Sequence, residues 1–323
     1  MKLPNALFWI VLGITPSLGA TTLPLKSEKP LALDGKAARF DFMATDASAQ
    51  RILAAHKGAG TLEILDLQTG KPLPAIPVGE AQGVAIDPIE HRYFLGNDDG
   101  HSVAIVDARS LKKTAEIKVD GPVDAIAYDP KNGMLFAGYD DGDRLWVIDT
   151  KTKQIVTTIT IPGVPEVLEY DASTDRIYQN IKTKNEIVRI DPATNKIDAT
   201  WSTLPVTAPH GLVTDGARGI LYTAGSNGKL VAIDLKTGHV TASADIATGV
   251  DQIAYDSERK LIYCACKGSI SVVKVTESGL KSMGSVPSPQ GAHTLAVNPV
   301  DHSVWVSFSD REHSYFQKFR AQP

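Results

Sequence analysis

The sequence predicts an all-β fold: a seven-bladed β-propeller of four-stranded antiparallel blades, with the last blade closed by the N-terminal strand. Three observations lead there. A hairpin phrase recurs as "TLEILDLQTGK" at 61, "SVAIVDARSLK" at 102, "RLWVIDTKTKQ" at 144, "EIVRIDPATNK" at 186 and "LVAIDLKTGHV" at 230, with a worn copy, "SISVVKVTESG", at 269. Its turn carboxylates, Asp66, Asp107, Asp149, Asp191 and Asp234, stand 41, 42, 42 and 43 residues apart, an interval that marks a repeat array. A second marker ends a short apolar run before each hairpin, at Asp46, Asp87, Asp129, Asp171, Asp215, Asp256 and Asn298, which makes seven copies. Seven residues beyond each marker comes a large side chain: Leu53, Phe94, Phe136, Tyr178, Tyr222, Tyr263 and Trp305.

Each unit therefore reads as strand a ending at the marker, a turn, strand b with the large residue, a loop, strand c, an Asp-led turn and strand d. Four short strands per repeat of this length make a propeller blade, and no segment beyond the N-terminal 20 residues holds a 3.6-residue period. The seventh unit has strand a around 293–298, strand b around Trp305 and strand c in "SYFQKF" at 314, but no strand d before Pro323. "LKSEKPLALDG" (25–35) aligns with "LKKTAEIKVDG" (111–121), the strand d of unit two. The N-terminal segment is therefore expected to complete blade seven and to pair two otherwise open edges.

Residues 1–20, "MKLPNALFWIVLGITPSLGA", have the Lys2 start, short apolar core and small-residue end of a secretory signal peptide. The expected product is a single propeller domain over 21–323, periplasmic or secreted and monomeric. Its formal charge moves from −4 to −5 when the one lysine of the leader is removed. With no basic block or stripe, the composition argues against nucleic-acid binding. Cys264 and Cys266, at i and i+2 on strand b of unit six, read as buried sheet fillers rather than as a metal or redox pair. No G-x-S-x-G, H-E-x-x-H, P-loop or helix-opening G-x-G-x-x-G is present.

"RYFLGNDDGHSVAIVDARSLKKTAEIKVDGPVDAIAYDP" (92–130) resembles a blade of the YVTN-repeat, YncE-like β-propellers, and "APHGLVTD" at 208 is similar to that family's Pro-His-Gly lead-in. The resemblance runs over the chain beyond the leader. It implies a seven-bladed extracytoplasmic ring in a family consisting largely of binding proteins and proteins of unknown role, with lactonases and cofactor-bearing enzymes among related rings.

Five residues before each marker lies a column in which every member is polar: Asp41, Gln82, Asp124, Glu166, His210, Asp251 and His293. Two residues later the column is apolar: Met43, Val84, Ile126, Leu168, Leu212, Ile253 and Leu295. Strand a lines the channel of a propeller, so these seven polar residues are the candidate ligand-binding set. The b–c loops on the same face add His56, Asn97, Asp98, Asp99, His101, Asp140, Asp141, Asp143, Asp310, Glu312 and His313. Two functions follow. The first is non-catalytic binding of a protein, peptide, cation or small polar ligand at an acidic funnel. The alternative is a lactonase-type hydrolase or lyase in which His210, Asp251 and His293, with Glu166 able to stand in for Asp251, hold a divalent cation.

Overall fold

The computed structural model describes residues 24–140 and 142–322. The leader at 1–20 lies outside them. The described chain forms seven antiparallel sheets in sequence order, and strand a of each blade packs beside strand a of the next all the way round, from the seventh back to the first. In blades 2 to 5 strand a spans Ala81–Asp87, Val123–Asp129, Pro165–Asp171 and Pro209–Asp215. It is shorter in blades 6, 7 and 1, at Ile253–Asp256, Leu295–Val297 and Met43–Asp46. Among the described residues the one helical element is a 3-10 turn at Lys57–Ala59. No described helix is long and apolar enough to cross a membrane.

The repeated residues have separable jobs. Asp66, Asp107, Asp149, Asp191 and Asp234 each accept a backbone N–H of their own c–d turn at 2.6–2.9 Å. Asp46, Asp87, Asp129, Asp171, Asp215, Asp256 and Asn298 do the same for the a–b turns at 2.9–3.3 Å. Turns of this type are the reason for a short polar acceptor at that spot. These markers are also buried, and some receive a donor from the following blade: the Tyr93 hydroxyl reaches Asp46 at 2.9 Å and His302 Nδ1 reaches Asp256 at 2.9 Å. The large strand b residues are all buried, as are the apolar members of strand a. Together they form seven inter-blade cores in place of one central core.

The closure is as expected. Leu25–Ser27 pairs antiparallel with Ala321–Phe319, and Leu31–Leu33 pairs with Phe316–Ser314. This closing strand is split, as is strand d of blade 1, which breaks into Lys71–Pro72 and Ile76–Pro77. Proline cannot donate to a ladder, and both interruptions fall on outermost strands, where the loss is tolerated. Cys264 and Cys266 are buried, free thiols, and burial raises the pKa of both.

Candidate functional site

The polar column is aimed by bulges. In blades 2 to 5 the a–b ladder slips between Ala81 and Val84, Val123 and Ile126, Pro165 and Leu168, and Pro209 and Gly211. A bulge leaves a residue unpaired and takes its side chain out of strict alternation. Gln82, Asp124, Glu166 and His210 occupy those bulges. Asp251, His293 and Asp41 precede the short strands a of blades 6, 7 and 1 and complete the ring.

Three groupings emerge. His293 donates from Nδ1 to Asp251 Oδ2 at 2.6 Å and from Nε2 to the Phe40 carbonyl at 3.1 Å. Both ring nitrogens face acceptors, an arrangement that the doubly protonated imidazolium satisfies in full. Burial alone would lower its pKa, but the hydrogen bond and charge of Asp251, with Asp41 adding, leave it raised. For Asp251, burial works upward, yet His293, His210 and Arg39 outweigh it and the pKa is lowered. In the second grouping Lys182 Nζ lies 2.6 Å from Glu166 Oε1, and His210 Nε2 lies 3.5 Å from the same atom. Burial, with Asp251 adding, holds the Glu166 carboxyl above its usual range against His210 and Lys182. In the third, Gln82 is buried between Lys57 Nζ at 2.9 Å and Asp140 Oδ2 at 3.0 Å.

Two carboxylates are left short. Among the described residues no donor reaches the Asp124 side chain, and its pKa is raised well above the usual value by burial and by Glu166, Asp41, Asp140 and Asp251. Asp41 takes Arg39 Nη2 on Oδ1 at 3.4 Å, while its buried Oδ2 has no partner. Two cavities open beside the His293–Asp251 pair. One, of about 530 Å³, reaches Arg39 and Ser309; the other, of about 680 Å³, reaches His210, Ser226 and Lys267.

A second ring stands at the b–c loops, of which the sequence reading named only Asp98 and Asp140. Eleven residues after each marker stand Lys57, Asp98, Asp140, Lys182, Ser226, Lys267 and Ser309. Six of these reach inward to Gln82, Glu166 and His210 or line the two cavities, and Lys57 also bridges to the seventh, Asp98, at 2.5 Å. The same fixed offset would have revealed them. Two loop assignments need correction. His56 is buried, stacked on Phe40 at 4.0 Å and bonded to Glu63 at 3.1 Å, and buried Asn97 donates to the Val78 carbonyl at 3.1 Å. Both end strand b, and the chain folds over them. Asp310 caps its own loop through the N–H groups of Glu312 and His313. Asp141 lies outside the described residues.

These placements do not suit a divalent cation at His210, Asp251 and His293. Both nitrogens of His293 are already turned to acceptors within the protein, Lys182 and Arg39 enter the ring, and no three described His, Cys, Asp or Glu residues converge as ligands.

The His293–Asp251 pair carries a pH dependence. A raised His293 pKa contributes stability that is complete below the unfolded value, about 6.5, and is lost as pH rises through the folded value. A lowered Asp251 pKa contributes stability present above the unfolded value, about 3.9, and lost as pH falls through the folded one. The pair is therefore at full strength between roughly pH 4 and 6.5. Asp251→Asn should bring the His293 pKa down, as read by NMR titration, and should flatten the stability change between pH 6 and 8. An unshifted His293 resonance would show that the pairing does not hold in solution.

No protein-family model matches this sequence, and no curated protein sequence matches it. Solved structures do match in shape. A chain of hydrazine synthase from Kuenenia stuttgartiensis is similar at a TM-score of 0.75 and 13% identity, over 88% of this chain and 96% of that one. A chain of the mitotic checkpoint complex is similar at a TM-score of 0.75 and 13% identity, over 98% of each. At that identity the likeness is one of fold: the protein is a seven-bladed β-propeller.

Proposed function

We propose that this is an exported, non-catalytic propeller of the YVTN-repeat, YncE-like type whose funnel binds a basic peptide segment through its ammonium or guanidinium groups. The observation that carries this reading is Asp124. Three of the intramolecular cations near the ring are already committed, Lys57 to Gln82 and Asp98, Lys182 to Glu166, and Arg39 to Asp41. That leaves Asp124 and one oxygen of Asp41 without a donor among the described residues, both carboxyls with raised pKa values. A desolvated carboxyl held in this state gains most from an incoming cation, which favours its ionised form. Export is supported by the leader-like residues 1–20, and the family kinship by the blade pattern and by "APHGLVTD". A soluble periplasmic or secreted monomer with a protein or peptide partner fits both, and the missing basic patch speaks against nucleic acid.

Calorimetry with an acetylated Gly-Lys-Arg-Gly peptide tests the reading. Binding should weaken with salt and should release protons, because the cation lowers the Asp124 pKa. Asp124→Asn should reduce affinity at least about tenfold. Absence of binding, or equal affinity in Asp124→Asn, would refute it. Turnover of a lactone panel with Ca²⁺, Mn²⁺ or Zn²⁺ would replace it with the metal-assisted hydrolase.

A further inference from the structure

Below the polar ring, toward the a–b turns, lies a chamber of about 370 Å³ walled by the strands a of blades 1 to 5, with Gln252 and Ile253 of blade 6. Two residues before each marker the repeat places Ala44, Ala85, Ala127, Glu169, Val213, Ala254 and Ala296. Blade 4 thus sets an acid where the other six have alanine or valine. Glu169 is the one charged residue among the described residues that line this chamber. Its Oε1 accepts the Thr214 hydroxyl at 2.8 Å and the Thr214 N–H at 3.3 Å. Its Oε2 has no hydrogen-bond partner among the described residues. Burial, with Asp171 adding, pushes the carboxyl up to about 7 even against the two bonds from Thr214.

The fold does not require this acid, since alanine builds the same wall in five other blades. A second pocket of about 340 Å³ shares Ala44, Thr45, Val213, Gln252 and Ile253 with the chamber and extends the space toward blades 6 and 7. The charged groups of that pocket, Asp256, Glu258 and His302, are paired with one another at its turn-side rim. They do not compete for a ligand at Glu169.

We propose that the chamber binds a small primary amine with an apolar body, its ammonium on Glu169 Oε2 and its body against the alanine wall. The chemistry narrows the choice. One carboxylate without a second anionic or carbonyl-rich partner is a poor site for Ca²⁺ or Mg²⁺. An anion would be repelled, and a neutral alcohol would leave the buried charge uncompensated. An ammonium supplies both the charge and the donors that Thr214 leaves unfilled, and the rings of Phe42, Tyr128 and Tyr170 in the same wall favour a cation nearby. The site is separate from the funnel and does not rest on peptide binding there.

Benzylamine, benzyl alcohol and benzoate, titrated by NMR and calorimetry into the full chain lacking residues 1–20, form the test. Benzylamine should bind saturably, with benzyl alcohol at least about tenfold weaker and benzoate not bound. Glu169→Gln and Glu169→Ala should each lose at least about tenfold in benzylamine affinity while keeping the wild-type circular dichroism spectrum. The acetylated Gly-Lys-Arg-Gly peptide should not displace benzylamine, which separates this site from the funnel. The proposal is overturned if amine and alcohol bind alike, if Glu169→Gln binds benzylamine as the wild type does, if the peptide displaces benzylamine, or if no saturation occurs by about 10 mM.

Discussion

A chain that starts at Lys36 should melt on the order of 10 °C below one that starts at residue 21. Leu25 and Leu33 are buried by the closure, at 3% and 4% exposure, over Phe319 and Phe316 of strand c, the former in the core between blades 6 and 7 and the latter in the core between blades 7 and 1. Burying a leucine is worth about 1.5–3 kcal/mol, so the two side chains contribute roughly 3–6 kcal/mol before any ladder bond is counted. In a domain of this size each kcal/mol moves the melting temperature by about 2–4 °C. The shortened chain also uncovers the strand edge Ser314–Ala321, which should make it prone to self-association. Calorimetric melting of both chains, together with the Leu25→Asp/Leu33→Asp double variant, checks the expectation. Equal melting temperatures would mean that the ring is held shut without the N-terminal strand.

The second large effect is expected at Gly83, beside Gln82 in the bulge of blade 2. A Cβ built there would lie 2.4 Å from the Asp124 carbonyl oxygen and 2.9 Å from the Ile126 amide nitrogen, both backbone atoms of the neighbouring blade. Those atoms cannot rotate away, so Gly83→Val has to push strand a of blade 3 outward. Overpacking of this kind costs about 1–3 kcal/mol, and the rigid ring argues for the upper end, roughly 5–10 °C in melting temperature. The shift would also displace Asp124 and weaken peptide binding at the funnel. Gly138→Ala is the control, because its Cβ would meet its nearest atom, the Ala125 carbonyl oxygen, at an ordinary 3.4 Å. If both variants melted together, the close approach between blades would not be what requires glycine at 83.

Residue spacing determined the architecture, and it did so through local chemistry. A short acceptor is needed at every a–b and c–d turn, a large side chain in every inter-blade core, and an apolar residue at Met43 and its equivalents. Each such need returns once per blade, so seven blades and the polar ring from Asp41 to His293 could be read from intervals, and the N-terminal closure from the match of residues 25–35 to strand d of blade 2. Tertiary structure decided what the polar residues do. Whether His293 offers a lone pair or is a doubly donating cation depends on Asp251 and Phe40, 42 and 253 residues away. Whether His56 faces solvent depends on the chain from 36 to 40 folding over it, and whether Asp124 is compensated depends on where Lys57 and Lys182 spend their charge. Intervals report position along one strand, whereas protonation and hydrogen-bond saturation are set by neighbours from other blades and by bulges that take side chains out of alternation.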